Sequence, residues 1–225
     1  MTDLTEVQKT LLDAAVPHVA FDGWSAATLK AAAADTGIPE AQARAAFPRG
    51  AVDLALAYHR QGDAVMLARL AEADLSDMRF RDRIAAAVRY RLEAVEDREL
   101  VRRGTTLFSL PQNAGEGARA IWGTVDAIWD ALGDKSEDVN WYTKRGTLAG
   151  VYSATVLFWL GDDSPDHANT WAFLDRRIDN VMQFEKLKAK TRDNPLFKPL
   201  GAIFGKVRAP SAAKRDDLPG HFSKG

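Results

Sequence analysis

The side chains of this sequence that could do chemistry are few and widely spaced. The four histidines, His18, His59, His167 and His221, lie far apart, and none stands at a spacing typical of metal ligands. The sequence contains no cysteine, which excludes thiol catalysis and disulfide bonds. It also lacks a phosphate-binding P-loop, a glycine-rich dinucleotide motif and a nucleophile elbow. We therefore predict a protein that is not an enzyme and that has no metal ion or cofactor.

A pair of aromatic residues beside two cations indicates binding chemistry instead. Trp141 and Tyr142 stand at the beginning of a predicted helix, shortly before Lys144 and Arg145. Aromatic and arginine side chains are favoured at the centres of protein interfaces. The pattern predicts a partner-docking patch of Trp141, Tyr142, Asp138 and Arg145. The alternative is that Trp141 only covers one end of the core.

These residues are carried by a chain with helical periodicity almost throughout. Its central stretch, residues 148–160, has no charged residue and is shorter than the roughly 20 apolar residues of a membrane span, which predicts a buried helix. Gly146, Gly150 and Ala154 recur every four residues and form a face of small side chains. Because small residues let two backbones approach, we expect a second helix to cross there, within the chain or across a dimer interface.

The periodicity divides the chain into a head, residues 1–50, and a body, residues 51–190. In the head we predict three short helices, the second capped by Ser25 and Gly37. Further helices are predicted at residues 51–73, 82–97, 100–111, 116–132 and 166–188. Three short helices followed by a long one are typical of a helix-turn-helix head, and residues 11–48 resemble the head of a TetR-type regulator.

The composition of the head does not favour binding to DNA. Residues 1–50 contain four Lys and Arg against six Asp and Glu, whereas DNA affinity depends on neutralising phosphates. The helix that would contact bases, residues 39–46, offers only Gln42 and Arg44 for base edges. We expect a retained scaffold, with a TetR-like transcriptional regulator that binds DNA and a small apolar ligand as the alternative function.

The resemblance that favours a different function lies in the body. Residues 107–134, 136–166 and 170–181 resemble the coenzyme Q biosynthesis accessory family, the lipid-binding protein 9 type. The resemblance covers about residues 5–208. It implies an all-α, TetR-like bundle of about ten helices that is usually a homodimer, pairing here through its last two long helices. It also implies a non-enzymatic protein that binds an isoprenoid quinone precursor and presents it to a hydroxylase of the pathway.

The resemblance also implies where the ligand and the hydroxylase bind. The segment that contains Trp141 and Tyr142 corresponds to the surface used for the hydroxylase. The lipid, a quinone precursor or a phospholipid, is expected against bulky apolar side chains of the central helices, unless these form only the core. These candidates are Leu107, Ile121, Trp122, Val125, Trp129, Leu148, Tyr152, Val156 and Trp159.

The C-terminal part of the chain has a different charge from the rest. Residues 1–185 carry 20 Lys and Arg against 28 Asp and Glu, whereas residues 186–225 carry 10 against 3. This distribution indicates an anionic partner for the tail. The apolar spacing of residues 195–208 predicts an amphipathic helix, which either binds an anionic membrane surface or folds back on the body. Residues 209–225 are predicted to be a disordered tail. The predicted membrane-binding residues are Leu196, Phe197, Leu200, Ile203, Phe204, Val207, Lys198, Lys206 and Arg208.

The N-terminal sequence suggests a location. MTDLTEVQKT resembles neither a secretory signal nor a transit peptide, which mitochondrial members of the family carry. We therefore expect a cytoplasmic, peripherally membrane-associated protein of bacterial origin.

Overall fold

The computed structural model describes residues 4–135 and 139–192, and this part of the chain is entirely helical. Nine α-helices and one short 3₁₀ turn, Pro165–His167, follow one another without a strand in these described residues. The predicted all-α class is confirmed. The helices are α1 Glu6–Asp22, α2 Ala26–Thr36, α3 Glu40–Ala46, α4 Ala51–Glu72, α5 Phe80–Glu93, α6 Arg98–Ser109, α7 Ala114–Ala131, α8 Val139–Trp159 and α9 Ala168–Arg192.

Local capping signals set the boundaries of the head helices. The Thr5 side chain and Gln8 form a reciprocal capping box at the start of α1, and the Ser25 hydroxyl accepts a hydrogen bond from the Thr28 amide at the start of α2. Gly37 ends α2 in the left-handed conformation, with φ of 67°. Both predicted caps of α2 are therefore present.

The helices bury two apolar clusters. One lies in the head and includes Leu11, Phe47 and Leu54, together with Leu100 from α6. The other lies in the body, where α4, α5, α7, α8 and α9 contribute residues such as Val88. The head core thus draws side chains from α4 and α6 as well as from residues 1–50. No helix in the described ranges is both long and apolar enough to cross a membrane.

One predicted boundary differs from the structure. The helix expected at residues 82–97 begins at Phe80 and ends at Glu93. Asp97 does not continue it, because its carboxylate accepts a hydrogen bond from the Glu99 amide and caps α6 instead. Asp97, which the sequence placed in the last turn of one helix, is therefore the N-cap residue of the next helix.

The small face of α8 is placed differently from the prediction of a crossing helix within the chain. Gly146 and Gly150 are exposed, and a Cβ atom added at either position would meet no other atom within 4 Å. The opposite face, which includes Leu148, Tyr152 and Thr155, is buried. The expected crossing is absent within the described residues, because the bulky face has more apolar area to remove from water and therefore turns inward.

Helices α6 and α7 approach closely at Gly117. A Cβ atom added there would lie 2.8 Å from the Phe108 Cβ, which is fixed to the α6 backbone. We expect Gly117→Ala to lower the free energy of unfolding by roughly 1–3 kcal/mol, as in overpacked cores. Gly123 on the same helix meets nothing within 4 Å, so Gly123→Ala should instead raise it by up to about 1 kcal/mol. Urea denaturation of both variants tests this, and equal effects would contradict it.

Candidate functional site

A cavity of about 400 Å³ lies between α4, α5, α6, α7 and α8. Its walls are mainly apolar, and small residues on α6 and α7, Gly104, Gly117 and Ala118, leave room between the helices. Among the predicted lipid-binding residues, Ile121, Tyr152 and Val156 line it. The other lining residues include Trp24, Ala55, Tyr58, His59, Arg91, Leu92, Val95, Leu100, Val101, Thr105, Phe108, Ser109, Ala114, Ala120, Ser153 and Leu157.

A buried polar network adjoins one end of this cavity. Arg91 and Asp63 are only 4% and 3% exposed, and the Arg91 Nε atom donates to the Asp63 carboxylate at 2.6 Å. The Arg91 guanidinium also donates to the His59 carbonyl, and the Thr124 hydroxyl donates to Asp63 at 2.9 Å. Each buried charge is therefore paired and hydrogen-bonded, as burial in a low-dielectric interior requires.

Sequence reasoning did not find this network. Asp63 and Arg91 are 28 residues apart, and neither is conspicuous in a chain with many charges. One signal was available on α5. Arg91 follows Val88 by three residues and precedes Leu92, so it falls on the same apolar face as Ile84. A charged residue inside such a face indicates a buried, paired group.

Burial gives His59 an unusual pKa. Its desolvation in the network, opposed by Asp63 and reinforced by Arg91, lowers the pKa from 6.5 to about 4. His59 is therefore neutral at neutral pH, and its Nε2 atom lies 2.8 Å from the Thr124 hydroxyl. The network as a whole then holds one cation and one carboxylate.

The low pKa of His59 predicts a loss of stability in mild acid. Between pH 6.5 and 4 the unfolded chain binds a proton at this residue that the folded chain does not. Above pH 6.5 His59 is neutral in both states and does not change the free energy of unfolding. That free energy should then fall by about 3 kcal/mol as the pH drops to 4. His59→Gln removes the titrating group, so denaturation between pH 4 and 7 should show a shallower slope for the variant. Parallel curves would refute the assignment.

The remaining predicted lipid-binding residues do not line this cavity. Trp129 and Leu148 border a second cavity of about 320 Å³, between α5, α7, α8 and α9. Val125 and Trp159 are buried in the body core, and Leu107 packs against the head core. The ring of Trp122 lies 5.9 Å from that of Trp141. The nine residues thus fall into several environments, because a helix that is apolar on more than one face contacts more than one neighbour.

The predicted docking patch has one exposed member and one that is buried. Tyr142 is 37% exposed, and its ring meets the half-buried Trp141 edge-on at 4.8 Å. Arg145 is only 1% exposed, with its guanidinium 4.1 Å from the centre of the Trp141 ring. The sequence predicted Arg145 as a member of the docking patch, but a side chain this buried cannot contact a partner directly and packs against Trp141 instead. Asp138 lies outside the described residues.

Three carboxylates of α7 and its C-terminal loop bind Arg145. Its guanidinium pairs with Asp126, with Asp130 at 2.9 Å and with Asp134 at 3.0 Å. Lys144 also pairs with Asp134, at 2.7 Å. The first two aspartates are four residues apart on α7 and so share one face of the helix. This cluster attaches the beginning of α8 to α7 and sets the position of the aromatic pair.

Several cations of the head pair with carboxylates. Arg44 meets Glu40 on α3, and Lys9 meets Glu6 on α1. Arg49 binds Asp53 at 2.7 Å and also contacts Glu116. These pairs lower the positive charge that the head could offer to phosphates.

The predicted membrane-binding residues between Leu196 and Arg208 lie outside the described residues, as does the tail at 209–225. That part of the prediction is untested by the structure.

Comparison with known proteins shows which family the chain resembles. Residues 114–185, which span α7, α8 and much of α9, match the family model described as COQ9. The chain carries a COQ9 domain. The ubiquinone biosynthesis protein COQ9, mitochondrial, of Rattus norvegicus is 32% identical over 188 residues, covering 79% of this chain and 59% of the relative. The probable ubiquinone biosynthesis protein coq9, mitochondrial, of Dictyostelium discoideum is 29% identical, with coverages of 81% and 62%. The family resemblance predicted from the sequence is thereby confirmed, although the chain spans only about three fifths of these curated relatives.

A solved structure supports the fold. The TetR transcriptional regulator from Nitrosomonas europaea superposes with a TM-score of 0.66 and covers 80% of this chain and 99% of its own. Its sequence identity is 23%, so the likeness concerns the fold alone. The predicted TetR-like architecture is confirmed.

One prediction is corrected by the comparison. The COQ9 relatives from Dictyostelium discoideum, Rattus norvegicus and Homo sapiens are named as mitochondrial proteins. This finding contradicts the expectation of a cytoplasmic, peripherally membrane-associated bacterial protein. The N-terminal sequence was insufficient for that conclusion, because the match covers only part of each relative.

Proposed function

We propose that this COQ9-domain protein acts in ubiquinone biosynthesis as a non-enzymatic accessory factor that binds an isoprenoid lipid. The observation that carries the proposal is the apolar cavity between α4 and α8, in a chain related to proteins named for ubiquinone biosynthesis. Pockets between bundle helices that are mainly apolar with a few polar groups suit such ligands. A phospholipid is the second ligand class that the apolar walls would accept.

Filling the cavity tests the proposal. Ile121 lines it from α7, so Ile121→Trp should displace the ligand, whereas Val65→Trp, at an exposed position of α4 away from the cavity, is the matched control. We expect native mass spectrometry and solvent extraction to find isoprenoid lipid on the wild type and on the control, and several-fold less on Ile121→Trp. Ubiquinone content in cells that depend on the chain should fall in parallel. Equal lipid on all three proteins would exclude the cavity as the site.

Presentation to a hydroxylase is the finer part of the proposal. Tyr142 offers an exposed aromatic side chain, and Trp141 and Trp122 form a support beneath it. Aromatic residues on a rigid support are favoured as interface anchors. We place the hydroxylase contact on this patch, and loss of co-purification of the hydroxylase on Tyr142→Ala is its test.

A homodimer is also part of the proposal, through the outer face of α8 and α9. Gly146 and Gly150 line this face on α8, and Phe158 stacks on Phe173 of α9 with ring centres 4.5 Å apart. Small and apolar residues on two long helices suit a four-helix interface. Light scattering should give twice the mass of the chain, and a monomer at micromolar concentration would contradict the dimer.

The regulator alternative has less support. The fold is shared with a TetR regulator, but several cations of the head are engaged by carboxylates of the same chain. A gel shift with promoter DNA at low salt is expected to give no complex.

A further inference from the structure

The cavity between α4 and α8 has a polar buried end and an apolar exposed rim. Arg91 and Tyr152 line the buried end, whereas Leu157 at the rim is 62% exposed. The rim hydroxyls of Thr105 and Ser109 donate to carbonyls of their own helix. An amphipathic ligand therefore meets unused polar groups deep inside and apolar side chains where the cavity opens.

The buried end offers no net charge to a ligand. Arg91 is the one charged side chain among the described residues that line the cavity, and Asp63 already neutralises it at 2.6 Å. His59 is neutral, because burial lowers its pKa to about 4. A phosphate group placed there would lose its hydration and find no spare cation, so this end disfavours the head of an anionic phospholipid.

Two tyrosine hydroxyls at this end are available as hydrogen-bond donors. Tyr58 and Tyr152 line the cavity, and their hydroxyls form no hydrogen bond with another residue of the described ranges. Neither hydroxyl is among the fully buried polar atoms without a partner in those ranges, so each keeps some accessible surface, in residues that line the cavity. Burial raises the pKa of Tyr58 to about 12 and also raises that of Tyr152, so both remain protonated donors. Buried hydroxyl groups normally have a hydrogen-bond partner, and here that partner must be a ligand or water.

Building on the proposed lipid-binding function, we infer that the buried end selects a neutral, oxygen-bearing ring, with Tyr58 and Tyr152 donating hydrogen bonds to the ring oxygens. The isoprenoid tail then leaves past Leu157. The cavity volume agrees with this orientation, since about 400 Å³ is at the lower end of the roughly 300–1,000 Å³ of drug-sized sites. That space suits a substituted ring with a short piece of tail, and a long polyprenyl chain must cross the rim. Tyr58 and Tyr152 are thus specificity-determining residues.

Removing the two hydroxyls tests the inference on the full chain. Tyr58→Phe and Tyr152→Phe keep the rings and take away only unpaired donors, so the melting temperature should stay the same or rise. The probes are a ubiquinone analogue with two isoprene units and the isoprenoid hydrocarbon squalene, titrated by native mass spectrometry. We expect each variant to bind the quinone roughly three- to tenfold more weakly and to bind squalene as the wild type does. A purely structural role of the tyrosines would change both affinities together.

A charge change gives an independent second test. Asp63→Asn keeps the shape and an acceptor for Thr124 but leaves Arg91 without its counter-ion. The variant should gain affinity for short-chain phosphatidylglycerol relative to the quinone by tenfold or more. If the wild type binds the quinone and squalene but neither the phenylalanine variants nor Asp63→Asn change the preference, the ring-binding inference is wrong while lipid binding stands. If the wild type binds none of the probes, the proposed function fails as well.

Discussion

Arg145→Ala is expected to lower the free energy of unfolding by about 3–5 kcal/mol, the usual cost of removing one partner of a buried ion pair. The Arg145 side chain is almost fully buried, and so is the Asp134 carboxylate that it binds. Without the guanidinium, Asp126, Asp130 and Asp134 remain close together with one fewer cation. Lys144 is the remaining cation paired with Asp134 in the described part of the chain, and it cannot reproduce three planar contacts.

The loss of Arg145 should also displace the aromatic pair. The guanidinium covers the Trp141 ring, and that ring touches Trp122 and Tyr142. We therefore expect a fall in melting temperature of roughly 6–20 °C, from about 2–4 °C per kcal/mol for a chain of this length, together with weaker binding of the proposed hydroxylase partner. Thermal denaturation and a pull-down of the hydroxylase measure the two effects.

Two controls separate stability from recognition. Arg119→Ala removes an arginine that is 75% exposed and pairs with Glu116 on the same helix, and it should cost less than about 1 kcal/mol. Tyr142→Ala should leave the melting temperature nearly unchanged and weaken only the partner interaction. If Arg145→Ala melts like Arg119→Ala, the arginine is not the support of this surface.

Breaking the second buried pair should be equally costly. Asp63→Leu leaves the Arg91 cation in the core and removes one of the two acceptors of the Thr124 hydroxyl, while Arg91→Met leaves the Asp63 carboxylate without its cation. Each single change is expected to cost about 3–5 kcal/mol of unfolding free energy. Both charged side chains are less than 5% exposed, so a charge left unpaired there is poorly hydrated.

The double variant gives the more discriminating result. With both charges replaced by apolar side chains, no buried ion is left unpaired, so the loss should be several kcal/mol smaller than the sum of the single losses. Chemical denaturation of the four proteins gives this coupling. The surface pair of Arg79, just before α5, and Asp82 in its first turn is the matched control, with an expected coupling below about 1 kcal/mol. Additive losses at Asp63 and Arg91 would mean that the two residues do not act as a pair.

The sequence by itself determined the features that depend on neighbouring residues. The Ser25 and Gly37 caps, the helical class and the approximate order of the helices follow from periodicity and from hydrogen bonds that span only a few positions. The family could also be predicted from the sequence, because long stretches of the body have a distinctive pattern. These signals are local or continuous, so they can be seen before the chain is folded.

Only the tertiary structure decided which groups meet. Asp63 finds Arg91 across 28 residues, and Arg145 is buried against α7 although its neighbours in sequence suggested an exposed patch. Helical periodicity separates the two faces of a helix but does not show which face packs against a neighbour. The exposure of Gly146 to solvent was therefore seen only in the structure. Burial and pairing depend on the free energy of all the packed helices together. In that packed state an unpaired buried charge costs far more than any local preference, and this cost arises only once the helices have packed.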